Sequence, residues 1–153
     1  MDIINLKEIK HKLDDKLLSL YNKLDKLLKE LKDRTLKEKV IVGINNEVRQ
    51  VNLTLEAEAD ACKQLKKSYT FIIKLIEKEH KLVPQNYYIN IWMPIGMASF
   101  GLPIGVAFGL SLGNLAFLGI GLPIGLVIGL AVGTELDKRA YKENRQLDLD
   151  HNF

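Results

Sequence analysis

The 153-residue sequence holds one cysteine, Cys62, so no internal disulfide can form. Its place on a helical face reads as a small core residue rather than a nucleophile. The three histidines, His11, His80 and His151, lie far apart, and none has a metal-ligand partner at helical spacing beyond the isolated i, i+3 pair Glu77 and His80. The glycine runs lack the lysine and the preceding strand of a phosphate loop. Ser99 and Ser111 have no base near them in their apolar stretch. No catalytic residue, metal ligand or cofactor is therefore expected, and the chain is not read as an enzyme. A net charge of +3, without a basic stripe interleaved with aromatics, argues against a nucleic-acid partner. Met1 to Glu8 contain no apolar h-region, so a secretory signal peptide is not expected.

The most informative absence is charge. Residues 1–82 contain 18 Lys/Arg and 14 Asp/Glu, and residues 135–153 contain 4 and 5. Between Lys81 and Glu135 lie 53 consecutive residues without a charge. A hydrocarbon core of ~30 Å takes ~20 apolar residues per helix, so this run fits two spans and a tight turn. A charge at mid-bilayer costs about 3 kcal/mol or more, which explains its exclusion. The spans are placed at Ile91–Leu112 and Leu115–Thr134, with Gly113 and Asn114 as the turn. Pro84 closes the preceding helix. Residues 83–91 read as an interfacial linker, in which Tyr87 and Tyr88, with Trp92 just beyond, act as headgroup-level anchors. Lysines and arginines flank both ends, including Lys78, Lys81, Lys138, Arg139 and Lys142, and the turn carries none. The positive-inside rule then puts both termini in the cytoplasm. Residues 135–153 read as a cytoplasmic tail, frayed from Leu147 onward.

Before the spans, residues 1–82 read as an antiparallel helical coiled-coil region. One helix is expected from Ile3 to Glu38, with a seam at Leu13, Leu17, Leu20, Leu24, Leu27 and Leu31. A seam this narrow needs a partner helix. Asn46 to Leu82 supplies one, with Val48, Val51, Leu55, Cys62, Leu65, Tyr69, Ile72 and Ile76 again three or four apart. Gly43 to Asn46 is read as the break between them. For residues 39–55 a β-hairpin competes with helix, because Val40-Ile41-Val42 and Val51-Asn52-Leu53-Thr54-Leu55 are rich in strand formers around Asn45-Asn46.

The spans contain a repeat. Gly101-Leu102-Pro103-Ile104-Gly105 through Gly109 and Gly113 returns twenty residues later as Gly121-Leu122-Pro123-Ile124-Gly125 through Gly129 and Gly133. A partial copy ending in Gly96 precedes both. Glycines four apart make a smooth groove on one helix face, and in lipid close backbone contact along small residues drives association. Whether the two grooves fill each other or receive a neighbouring copy is left open. Pro103 and Pro123, at equivalent places, are candidate kinks.

The fold class expected is thus an all-α membrane protein: a coiled-coil region followed by a two-helix transmembrane hairpin with GxxxG repeats. Residues Trp92 to Leu147 resemble the glycine-zipper membrane hairpins of small bacterial proteins. The likeness includes the exit from Ile128-Gly129 to Gly133, then Leu136-Asp137-Lys138-Arg139-Ala140 and Lys142-Glu143-Asn144-Arg145-Gln146-Leu147. The resemblance implies a bacterial inner-membrane module that oligomerises, and it carries no catalytic residue. Two functions follow. The first is an oligomeric anchor or scaffold that clusters a cytoplasmic protein partner through residues 1–82. The second is a pore or membrane-permeabilising effector gated by the cytoplasmic helices. The scarcity of polar side chains in the spans weighs against a wide aqueous channel.

Overall fold

A computed structural model describes residues 2–7, 15–57, 60–114, 116 and 118–150. The seam position Leu13, the histidines His11 and His151, and residues 151–153 of the expected tail lie outside them. The chain divides into two compact units, one holding Met1–Val83 with Leu147–Leu149, the other Pro84–Gln146 with Asp150–Phe153.

The first unit contains helices α1 (Asp15–Lys32), α2 (Glu38–Ala57) and α3 (Ala61–His80). The leucine seam of α1 is buried at Leu20, Leu24, Leu27 and Leu31, joined by Leu28, while Leu17 is half-buried. Val40, Ile44, Val48 and Val51 of α2 and Leu65, Ile72 and Ile76 of α3 complete the apolar core. α3 packs against both other helices. Along α2 and α3, Lys39 pairs with Glu79 at 2.7 Å, Gly43 lies beside Leu75, and Ser68 donates to Glu47 at 2.7 Å. The start of α2 therefore meets the end of α3.

Four expectations for the chain outside the spans are corrected. Of the two readings left open for residues 39–55 the helical one holds, and α2 runs unbroken through Gly43–Asn46, where a break was expected. Gly43 serves close packing instead: a Cβ there would come within 2.8 Å of Leu75. Asn45 spends its side-chain amide on residues 2 and 4 rather than on a turn. The break falls later, at Asp60, whose φ of 49° is left-handed, so the expected helix Asn46–Leu82 is two helices. Residues 2–7 are not helical, because side-chain amides of α2 bind their main chain.

The end of the chain is the fourth correction. Gln146–Asp150 form strand β2, paired with β1 (Val83–Gln85), rather than a frayed tail. Leu147 and Leu149 alternate with acidic residues and are buried with Val83. This is the two-residue period of a one-sided strand.

In the second unit, α4 (Tyr87–Gly96), a π-helical turn (Met97–Gly101) and α5 (Leu102–Ser111) form one continuous rod. α6 (Leu118–Lys142) returns alongside it. The helix begins at Tyr87, four residues before Ile91, where the first span was expected to start. Ser111 ends α5, and Gly113, with φ +66°, turns the chain. Asn114 N–H bonds Gly109 O at 3.0 Å, closing the helix with the six-to-one bond of a Schellman cap.

Candidate functional site

Two helices, Tyr87–Ser111 and Leu118–Lys142, are each 25 residues long, with mean hydropathies of 1.6 and 1.7 over their most apolar windows. At about 1.5 Å per residue either exceeds the ~30 Å of a bilayer core. Only 17% and 22% of those windows are buried inside the protein. A core helix of a water-soluble protein would be mostly covered. Here Ile91, Ile95, Phe100, Leu102, Val106, Phe108 and Leu110 face outward on the first helix, as do Ile120, Ile124, Val127 and Val132 on the second.

The covered face is made of glycine. Gly96, Gly101, Gly105 and Gly109 are buried on the first helix, and Gly121, Gly125, Gly129 and Gly133 on the second. A Cβ on Gly121 would lie 2.1 Å from Gly101 O, and one on Gly125 2.5 Å from Gly101 N. One on Gly96 would meet Gly125 O at 2.4 Å, and one on Gly105 Leu118 O at 2.6 Å. Gly129 fits against Trp92 O and Gly133 against Ile89 Cα in the same way. The obstacles are main-chain atoms, which cannot swing aside. The grooves of the two helices thus fill each other within one chain. Gly113 is the exception among the packing glycines: nothing lies within 4 Å of its Cβ position, and its role is the left-handed turn.

The glycine spacing explains the π-turn. Gly121, Gly125, Gly129 and Gly133 repeat every four residues, but Gly96 and Gly101 are five apart. A π-turn takes in one extra residue per turn, so Gly96 stays on the face of Gly101 and Gly105. Pro103 sits just after this turn, inside the continuous rod. Pro123 lies inside α6, which continues without interruption.

The open end of the hairpin carries a contact that the sequence analysis missed. Asn86, the N-cap of α4, makes no side-chain cap. The carboxylate of Asp137 on α6 replaces it, accepting Tyr88 N–H at 3.2 Å and Ile89 N–H at 3.0 Å. A buried anion at a helix N-terminus satisfies unpaired amides and the helix dipole together. The aromatic residues expected as anchors stand at this end too: the Tyr87 and Tyr88 rings meet edge-to-face at 5.3 Å, and Trp92 is half-buried. Asp137 had only one sequence signal, an acidic residue on the glycine face one turn beyond Gly133.

Among the described residues no group of three or more His, Cys, Asp or Glu could hold a metal ion. His80 accepts the Lys37 N–H at 3.2 Å. Beside it, a hydrogen bond from Lys39, with Lys37 close by, holds the Glu79 carboxyl below its usual range. No family model, curated protein or solved structure matches this chain.

Proposed function

We propose that this protein is a membrane anchor that holds a helical unit at the cytoplasmic face of a bacterial inner membrane. One observation carries the reading: the glycine faces of the two long apolar helices are spent on each other, leaving leucine, isoleucine, valine and phenylalanine outward. Such a hairpin suits surrounding lipid without needing a neighbouring subunit. The flanking lysines and arginines favour both ends on the cytoplasmic side. The charged outer faces of the helices of residues 15–80 are then the part offered to a cytoplasmic protein partner, since the leucine seam of α1 is spent inside the unit. Self-association of the anchor falls to surfaces other than the filled glycine grooves.

A pore built from these hairpins needs polar groups toward a lumen. The backbone beside most of the groove glycines, the obvious source, lies against the partner helix. Full-length protein should resist alkaline carbonate extraction from cell membranes and leave dye-loaded liposomes tight. Release by carbonate would refute the anchor. Leakage that is lost in a Gly105→Leu/Gly125→Leu variant would establish the pore instead.

A further inference from the structure

The first unit contains a contact of unusual construction, independent of the membrane reading. Asn45 and Asn52 lie seven residues apart on α2, and both are buried. Asn45 Oδ1 accepts Ile4 N–H at 2.8 Å, and its Nδ2 donates to Asp2 O at 3.0 Å. Asn52 Oδ1 accepts Lys7 N–H at 2.9 Å, and its Nδ2 donates to Asn5 O at 3.3 Å. Each carboxamide brackets one residue, Ile3 or Leu6, as a neighbouring strand would. Those two side chains are the ones buried beneath the segment. From α1, Tyr21 OH donates to Lys7 O at 3.2 Å. Lys32 Nζ donates to the Asn5 side chain.

The spacing has a geometric reason. Seven residues of α-helix rise about 10.5 Å. Three residues of extended chain rise about 9.3 to 10.2 Å. Two asparagines at i and i+7 therefore keep register with every third residue of an extended peptide. A buried carboxamide without partners is costly, so this helix face is built to meet a main chain. Recognition through N–H and C=O groups does not depend on which side chains the segment carries. Beside Ile3 there is also a half-open pocket of ≈ 420 Å³, lined in part by Leu31, Leu36 and Ile41, with Asp2, Lys32 and Arg34 on its wall.

We propose that this face is a peptide-binding groove and that residues 2–7 are its resident ligand in cis. The partner it fits is an extended segment of another protein with apolar side chains three residues apart. The pocket and the two basic residues favour a bulky first anchor preceded by an acidic residue. Binding in trans requires the resident segment to leave, so the chain's own N-terminal segment holds the site closed.

The test uses the full-length protein in detergent micelles and a fluorescent peptide with the sequence of residues 2–7. Wild-type protein should bind it weakly, because the tethered segment competes at a high effective concentration. Ile3→Asp/Leu6→Asp, which removes both anchors in cis, should bind at least tenfold more tightly. Adding Asn45→Ala/Asn52→Ala should cost at least tenfold, as should N-methylation of the peptide at its third and sixth residues. Exchanging the peptide's side chains other than the two anchors and the acidic first residue should change affinity less than threefold, and replacing the Ile3 anchor by tryptophan should strengthen binding. The proposal is overturned if the released variant, with native helicity, takes up no peptide, or if binding ignores the asparagines or the N-methyl groups. Ile4→Pro repeats the test should the double variant fail to fold, since it removes the amide that Asn45 accepts and keeps both buried anchors. Failure there too refutes the groove.

Discussion

Gly125→Ala adds one methyl group at the centre of the hairpin. Its Cβ would stand 2.5 Å from Gly101 N, 2.6 Å from Gly96 O and 2.7 Å from Gly101 Cα, where contact ordinarily begins near 3.4 Å. All three obstacles are main chain, so the helices must part by about 1 Å, and a gap of that size forfeits a quarter to a half of the local dispersion attraction. Overpacking of this kind costs about 1–3 kcal/mol. Opposing it, alanine has the higher helix propensity, by about 1 kcal/mol in water. Gly119→Ala isolates that opposing effect, because nothing lies within 4 Å of the Gly119 Cβ position. The assay is unfolding in mixed micelles with rising sodium dodecyl sulfate, followed by fluorescence of Trp92, the only tryptophan, whose carbonyl contacts Gly129. Gly125→Ala should lose up to about 2 kcal/mol after the propensity gain, Gly119→Ala should be neutral or better, and the two should differ by about 1–3 kcal/mol. Equal stability of the two variants would refute the backbone-contact account.

Asp137→Ala removes the acceptor of two amides and should cost about 1.5–3 kcal/mol in the same titration. The exposed Glu135→Gln should stay within about 0.5 kcal/mol. In the first unit, Leu24→Ala should lower stability by about 2–5 kcal/mol in thermal melts, whereas Leu18→Ala, 44% exposed, should change it little. Glu79 sets an acid dependence. Its folded pKa lies below the ordinary 4.5, so its contribution is present above that pH and is lost as pH falls further. Wild type should therefore lose more melting temperature than Glu79→Gln between pH 5 and 3; parallel curves would dismiss the contact.

The pair of long apolar helices was the most legible part, because its signal is local. A 53-residue stretch without charge and a glycine every fourth position mean the same thing wherever the chain goes. The turn at Gly113-Asn114 was readable for the same reason. The π-turn was only half-readable: the five-residue step from Gly96 to Gly101 is in the sequence, but its meaning depends on the facing helix. The N-terminal unit misled where a residue serves a distant partner. Asn45-Asn46 beside Gly43 has the composition of a turn, yet Asn45 bonds a segment 41 residues away, and Gly43 makes room for Leu75. Leu147 and Leu149 show strand alternation in Gln146-Leu147-Asp148-Leu149-Asp150, but so short a strand is recognisable only beside its partner Val83–Gln85.

The central claim is that the two apolar helices cross the bilayer and return. The most direct test is thiol accessibility in intact bacteria, with Cys62→Ser as background and single cysteines at Asn114 or Lys142. A membrane-impermeant maleimide should label Asn114→Cys from outside the inner membrane. Lys142→Cys, and Cys62 of the wild-type chain, should react only after the membrane is opened. Labelling of Lys142→Cys from outside, or protection of Asn114→Cys there, would contradict the hairpin topology.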